Sequence, residues 1–123
     1  MYHMKKNNLI QEKSYLFALR IVRLYQFLER KNEHVISKQL LRSGTSIGAN
    51  VEEAIGSQSE KDFFAKLCIV YKEIRETHYW LRLLRDSNLI SKVQSTSILN
   101  DCESLLRITG SIQKTIKTKS RNS

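Results

Sequence analysis

The fold is decided by residues 37–88, which read SKQLLRSGTSIGANVEEAIGSQSEKDFFAKLCIVYKEIRETHYWLRLLRDSN. In the first half, Leu40, Ile47 and Val51 recur at the spacing of a helix that buries one face. The second half opens on the polar cap Ser59 and keeps the same spacing. Its apolar positions are Phe63, Leu67, Val70, Ile74 and Leu81. The stretch predicts two helices, over about residues 34–56 and 60–87.

The flanking segments carry helical patterns of their own. The first predicts a helix over about residues 12–31, through Phe17, Ile21, Leu24 and Leu28. The last predicts a helix over about residues 91–118, through Ile98, Cys102, Leu105, Thr109, Ile112 and Ile116. With no proline and only four glycines, turn signals are scarce. We expect one all-α domain over residues 1–123, an antiparallel up-down-up-down four-helix bundle with a disordered basic C-terminal tail after Lys117.

The chain is strongly basic, with 21 Lys and Arg against 12 Asp and Glu and a net charge of +9. Such an excess favours polyanionic partners and carries no information about the fold. The N-terminus lacks the apolar core of a signal peptide, and no apolar run is long enough for a membrane span. Cys68 and Cys102 lie far apart within apolar helical patterns and are expected to be small core residues. A soluble cytoplasmic protein is predicted.

Gly44 and Gly48 lie four residues apart inside a helical pattern, although each glycine costs roughly 0.5–1 kcal/mol there relative to alanine. The two glycines border the apolar stripe, which predicts close approach of a neighbouring helix. The same residues match the GxSxG pattern of serine hydrolases. That motif requires a strand that enters a sharp turn, whereas the residues before Gly44 are helical, so the hydrolase interpretation is rejected.

The long third helix carries a second apolar face beside its core stripe. Ile69, Trp80, Leu83 and Leu84 fall on this second face. In an isolated bundle they would form an exposed patch, and such patches are typical of interfaces, so the pattern predicts a homo-oligomer. The alternative is that loops or helix ends cover Trp80 and Leu84.

A polar row borders the second helix and consists of Gln39, Ser46, Asn50 and Glu53. The row is either solvated or partly buried. In the second case Asn50 and Glu53 would form hydrogen bonds across a helix or subunit boundary, since buried amides and carboxylates need partners.

Two basic stripes lie off the apolar seams. The first helix contributes Lys13, Arg20, Arg23 and Arg30, and the fourth contributes Arg107, Lys114, Lys117 and Arg121. A charged stripe on an isolated helix is commonly a solvated face. If an oligomer repeats the stripes around a ring, many weak phosphate contacts add up, and the stripes predict sequence-independent binding of RNA or DNA. Arg20→Glu with Arg23→Glu should then weaken that binding.

The sequence contains no convincing catalytic or metal-binding constellation. A carboxylate-bridged metal bundle needs Glu-x-x-His motifs, but Lys31 and Arg75 stand three residues before His34 and His78. Glycine-rich phosphate loops are also missing. His78 is expected to be a packed, hydrogen-bonded histidine. We therefore expect a non-enzyme without metal, cofactor, small-molecule substrate or membrane partner.

The runs SKQLLRSGTSIGANVEEA and SEKDFFAKLCIVYKEIRETHYWLRLLRDSNLI resemble a family of bacterial four-helix bundle proteins encoded in intervening sequences of 23S ribosomal RNA genes. The most specific part runs from Ser46 to Asn50 and on to Glu53. The chain departs from the family pattern at Gly48, where many relatives have proline, and at Ala54, where many have glycine. Neither change threatens the fold.

The resemblance implies a ring-shaped homopentamer with basic surfaces, distantly similar to the nucleic-acid-binding accessory protein of diversity-generating retroelements. Two hypotheses follow. The protein is either a pentameric accessory factor that binds nucleic acid, or an assembly scaffold that binds another protein. In the second case the row around Gln39, Asn50 and Glu53 is the candidate docking surface.

Overall fold

A computed structural model describes the backbone of residues 4–122 and the side chains of residues 7–121. Within that range the chain forms four helices and no strand, so the all-α prediction is confirmed there. The helices are α1 (Met4–Arg30), α2 (Ile36–Ile55), α3 (Glu60–Asp86) and α4 (Lys92–Asn122).

The first and last helices, α1 and α4, are longer than the sequence pattern indicated. α1 begins at Met4, not near residue 12, because Ile10 and Ser14 are buried and extend its packed face. α4 continues to Asn122, so the prediction of a disordered tail after Lys117 is wrong for residues 118–122. Its last turns stay close to α3, where Lys119 Nζ lies 3.3 Å from a Glu60 carboxylate oxygen. Ser123 lies outside the described residues.

The four helices surround a single hydrophobic core. Each helix packs on two neighbours in the cyclic order α1, α2, α3, α4, so that α1 and α3 lie on one diagonal and α2 and α4 on the other. Side-chain hydrogen bonds cross two of these helix junctions: Gln11 of α1 bonds Glu52 of α2, and His78 of α3 bonds Glu103 of α4. The largest fully buried side chains are Phe17, Ile10, Ile21, Leu28, Leu40, Ile47, Leu67, Ile74, Leu81, Leu84, Leu105 and Ile112.

Local side-chain chemistry sets the helix ends. The Ser59 hydroxyl accepts a hydrogen bond of 3.1 Å from the Asp62 N–H, which is the predicted cap of α3. The Glu33 carboxylate accepts three backbone N–H groups at the start of α2. Asn32 and Asn88 follow α1 and α3 in the left-handed region with φ of 63°, a conformation that asparagine tolerates better than most residues.

The glycine patch is the place where α2 approaches α1 closely. A Cβ atom on Gly44 would lie 2.8 Å from both Cγ atoms of Ile21, which is too short for any real contact. A Cβ atom on Gly48 would lie 3.4 Å from the Ser14 carbonyl oxygen. On the other side of α2, the buried Thr77 hydroxyl donates a hydrogen bond of 2.9 Å to Ser43. Small residues therefore set the distance between α2 and both of its neighbours.

Candidate nucleic-acid interface

A continuous groove follows the junction of α1 and α4 and ends at the α3–α4 loop. Three adjoining cavities form it, and neighbouring cavities share either Arg20 and Arg23 or Phe27 and Gln94. Six basic and two acidic side chains line this α1–α4 groove. They are Lys13, Arg20, Arg23, Lys31, Arg85 and Lys92, with Asp86 and Asp101. The groove is therefore a concave basic surface built from several helix sides, whereas the sequence pattern indicated separate stripes on the first and fourth helices.

Part of this positive charge is neutralised within the protein. Arg20 donates hydrogen bonds of 2.6 Å to the Asp101 carboxylate and 3.1 Å to the Ser97 hydroxyl, both on α4. Lys13 Nζ lies 3.5 Å from Ser104 Oγ. Arg23 is exposed and has no acidic partner among the described residues. The first predicted stripe thus contains one arginine that joins two helices and others that are free to meet a ligand.

The end of the groove widens into a cavity of about 580 Å³ between the end of α1 and the α3–α4 loop. We call it the end pocket. The Lys31 ammonium lies 4.9 Å from the centre of the Phe27 ring. Arg85 pairs with Asp86 at 2.8 Å, and this hydrogen bond lowers the pKa of the Asp86 carboxyl. The pocket is lined by Phe27, Lys31, Arg85, Asp86, Asn88, Leu89, Ile90, Ser91, Lys92 and Gln94.

The sequence pattern did not indicate Lys31, Arg85 and Lys92 as site residues. They stand at the end of α1, near the end of α3 and at the start of α4. A stripe along a single helix cannot contain these three residues, because they belong to different helices. The fold brings their helix ends together at one end of the bundle. The available signal was a basic residue at each of three helix ends.

The second predicted stripe lies apart from the groove. Arg107, Lys114 and Arg121 are exposed on α4 and line none of the groove cavities. Lys117 lies 5.8 Å from the centre of the Phe64 ring of α3, so this part of the stripe faces the α3 side of α4. The first stripe therefore lies on the α1 side of α4, whereas Lys117 of the second stripe lies on the α3 side.

The second apolar face of α3 is smaller than predicted. Ile69 and Leu83 are exposed, by 40% and 37%, and we call them with the exposed Tyr79 the α3 patch. Trp80 is partly buried, and its indole N–H donates to Glu76. Leu84 is fully buried, so its assignment to an exposed face is wrong. It follows the buried Leu81 by three residues and so continues the core stripe of α3.

A second apolar patch was missed in the sequence. Leu9, Tyr15, Leu16 and Leu19 are exposed on the outer side of α1, and we call them the α1 patch. The seven-residue spacing from Leu9 to Leu16, off the core stripe through Phe17, was the available signal. The patch adjoins the Lys13 end of the α1–α4 groove, because Leu16 and Leu19 also line the cavity there.

The polar row of α2 makes its contacts within the protein. Asn50 donates a hydrogen bond of 2.8 Å to the Ser46 carbonyl in its own helix. Glu53 is exposed and pairs with Lys66 of α3 at 2.6 Å. Ser46 donates to Glu73 at 2.7 Å, and the same carboxylate accepts from Arg42 at 3.3 Å. The row thus joins α2 to α3, and Gln39 stays exposed beside it.

The reactive side chains occupy structural settings. His78 Nε2 lies 3.0 Å from a Glu103 carboxylate oxygen on α4, as a packed, hydrogen-bonded histidine. Cys102 is fully buried, and burial raises the pKa of its thiol to about 12. Within the described part of the chain, no three His, Cys, Asp or Glu side chains form a group that could hold a metal ion. None of the helices there is both long enough and apolar enough to cross a membrane.

Comparison with known proteins agrees with this architecture. A family model described as 23S rRNA-intervening sequence protein matches residues 6–111. A crystal structure of a protein of unknown function, from the S23 ribosomal protein family of Bacteroides thetaiotaomicron VPI-5482, has 50% sequence identity and a TM-score of 0.86. The match covers 89% of this chain and 98% of that one. No curated protein matches the chain. Because the family model covers most of its length, the chain belongs to the 23S rRNA-intervening sequence protein family.

Proposed function

We propose that this protein is a non-enzymatic accessory factor that binds RNA or DNA through the phosphate backbone. The observation that carries the proposal is the α1–α4 groove, which is lined by six basic and only two acidic side chains. Along α1 the groove extends from Lys13 to Lys31, about 27 Å at the usual helical rise of about 1.5 Å per residue. Basic side chains over this length can contact several consecutive phosphates of one strand.

The proposed binding is independent of sequence. Lysine and arginine contacts to phosphate provide affinity and register but do not read bases. Arg23 lines the groove, and Arg30 lies seven residues later on the same side of α1, outside the groove cavities. Both are exposed without acidic partners among the described residues, so they can donate to phosphate without breaking an ion pair. Arg20 has a different role in the proposal. It holds α1 against α4 through Asp101, which neutralises its charge.

We also propose that the up-down-up-down protomer assembles into a ring, most simply the homopentamer that the family resemblance implies. A closed ring of more than two subunits joins two different patches on each subunit. The α1 patch and the α3 patch lie on diagonally opposite helices of the protomer and are two different surfaces, as such a ring requires. The ring would repeat the part of the α1–α4 groove from Arg20 to Lys92 around its circumference and increase avidity. The two free cysteines fit a cytoplasmic location.

The test is a comparison of charge-reversal variants by electrophoretic mobility shift with a structured RNA at low salt. Arg23→Glu with Arg30→Glu should weaken binding by about tenfold or more, because phosphate contacts become repulsive. Arg30 is chosen over Arg20, because a glutamate at position 20 would lie beside Asp101 and disturb packing. Lys38→Glu, an exposed site on α2 outside the groove, is the matched control and should bind as the unchanged protein does.

The salt dependence of binding gives a second readout. The slope of log affinity against log salt should become shallower by about 0.7 for each phosphate contact removed on a single strand. Wild-type protein that fails to bind RNA and DNA at low salt would refute the proposal. The protein-binding scaffold hypothesis would then be preferred.

A further inference from the structure

We propose that the end pocket receives one unpaired nucleotide of a bound strand, so that the protein prefers single-stranded segments to uninterrupted duplex. The inference rests on the proposed function, because it names the class of nucleic acid that the groove selects. The cavity of about 580 Å³ falls within the range of roughly 300–1,000 Å³ that is usual for pockets that enclose small organic groups.

The lining of the pocket divides into two kinds of surface. Phe27, Leu89 and Ile90 supply an apolar wall, and Phe27 belongs both to this pocket and to the adjoining part of the groove. Lys31 and Lys92 are exposed and supply positive charge. A nucleotide has the same division, with a flat apolar base and an anionic phosphate. Stacking of unpaired bases on aromatic rings beside basic groups is typical of proteins that bind single strands.

The Phe27 ring becomes available through a small rearrangement. Lys31 now lies over the ring at 4.9 Å from its centre. The lysine side chain is exposed, and exposed side chains change rotamer within nanoseconds. A base that enters the pocket can therefore replace the ammonium over the ring, while the ammonium moves to the attached phosphate.

The position of the pocket explains the selection against duplex. It is a recess between the end of α1 and the α3–α4 loop. A base can reach such a recess only after it has left its stacked and paired position, which requires energy in duplex and little in a single strand. Asn88, whose side chain makes no hydrogen bond within the described residues, lines the same pocket and can meet a base edge.

The experiment compares a short mixed-sequence single-stranded RNA with the blunt duplex of the same sequence, by fluorescence anisotropy at low salt. The unchanged protein should bind the single strand about tenfold more tightly. Phe27→Leu retains an apolar side chain but removes the ring. It should weaken single-strand binding roughly fivefold to tenfold and leave duplex binding unchanged.

Two further variants keep the test decisive. Lys31→Glu with Lys92→Glu changes only exposed side chains and should also reduce the preference for the single strand. It replaces Phe27→Leu if thermal unfolding shows that the latter does not fold. Lys38→Glu should leave the preference intact.

The outcomes separate the two proposals. The pocket is refuted if Phe27→Leu, or the lysine pair in its place, weakens both RNAs equally or neither, while Arg23→Glu with Arg30→Glu still weakens binding. In that case the proposed function stands. If the unchanged protein binds neither RNA, the proposed function itself fails, and this is visible before any variant is measured.

Discussion

Gly44, Gly48 and Gly110 all lie within helices but have different surroundings. Alanine substitutions at these positions should therefore change the free energy of unfolding by different amounts. Gly44 faces Ile21, which is fully buried and β-branched, so its side chain cannot rotate away from an added methyl group. Gly48 faces backbone at an ordinary contact distance. Gly110 in α4 has no atom within 4 Å of the site where a Cβ would stand.

We expect Gly44→Ala to destabilise the protein by about 1–2 kcal/mol, because overpacking exceeds the gain in helix propensity. Gly110→Ala should stabilise the protein by about 0.5–1 kcal/mol, since only the propensity changes. Urea denaturation followed by circular dichroism measures both. A stabilising Gly44→Ala would show that α1 and α2 are further apart than the structure places them.

At the scale of helices, Glu29 connects the end of α1 to the start of α2. Its carboxylate accepts hydrogen bonds from His34 in the loop and, at 3.2 Å, from the Ser37 hydroxyl of α2. Desolvation pushes the pKa of Glu29 upward, but the hydrogen bonds from His34 and Ser37 outweigh it and lower the pKa below the usual 4.5. A carboxyl whose pKa is lowered by folding stabilises the native state only while it is ionised.

Because folding lowers the pKa of Glu29, the protein should lose stability in acid. The contribution of Glu29 is present above about pH 4.5 and disappears as the pH falls through its lowered pKa. Glu29→Gln should therefore reduce the urea midpoint at pH 7, and the difference from the unchanged protein should shrink toward pH 3. Glu12→Gln, at an exposed site on α1, is the control. A difference that stays constant across this range would contradict the assignment.

The ends of the helices differ most from the sequence pattern. The apolar repeat of the first helix begins at Phe17 in the sequence pattern, but α1 begins at Met4 and buries one further isoleucine, Ile10. At the other end of the chain, α4 persists for several residues after its last buried side chain, Ile116. Periodicity identifies the packed part of a helix, whereas ends depend on local hydrogen bonds and on neighbouring helices.

At the scale of the whole molecule, the two apolar patches determine the assembly that we expect. A ring contact would cover the α1 patch of one protomer with the α3 patch of the next. Ile69→Asp with Leu83→Asp should leave the fold intact, because both side chains are already exposed, but should prevent association. Val93→Asp, at a side chain that is 82% exposed and outside both patches, is the matched control.

Light scattering measures the outcome directly. The unchanged protein and Val93→Asp should have about five times the chain mass of 14.4 kDa, and the double variant should have the mass of one chain. An unchanged protein of 14.4 kDa at micromolar concentration would refute the ring. It would leave the groove of the single protomer as the binding surface.

Much of the candidate site was not predictable from the sequence. Arg20, Arg23 and Lys13 were recognised as one stripe, because helical spacing is a local property. The neutralising contact between Arg20 and Asp101 joins residues 81 positions apart and has no local signal. Leu84, by contrast, was predictable, because it follows Leu81 by three residues and continues the core stripe of α3, whereas the adjacent Leu83 lies off that stripe.

The sequence by itself determined the class of fold, four helices with one buried stripe each, the glycine patch of α2 and the basic excess. These are short-range features, set by residue type and by spacing along a single helix. Only the tertiary structure decided which stripes meet. It placed the end of α1 beside the α3–α4 loop and thereby assembled the end pocket from Phe27, Lys31 and Lys92. The physical reason is that a groove is built from the sides of different helices, and their relative rotation follows from the packing of the whole core.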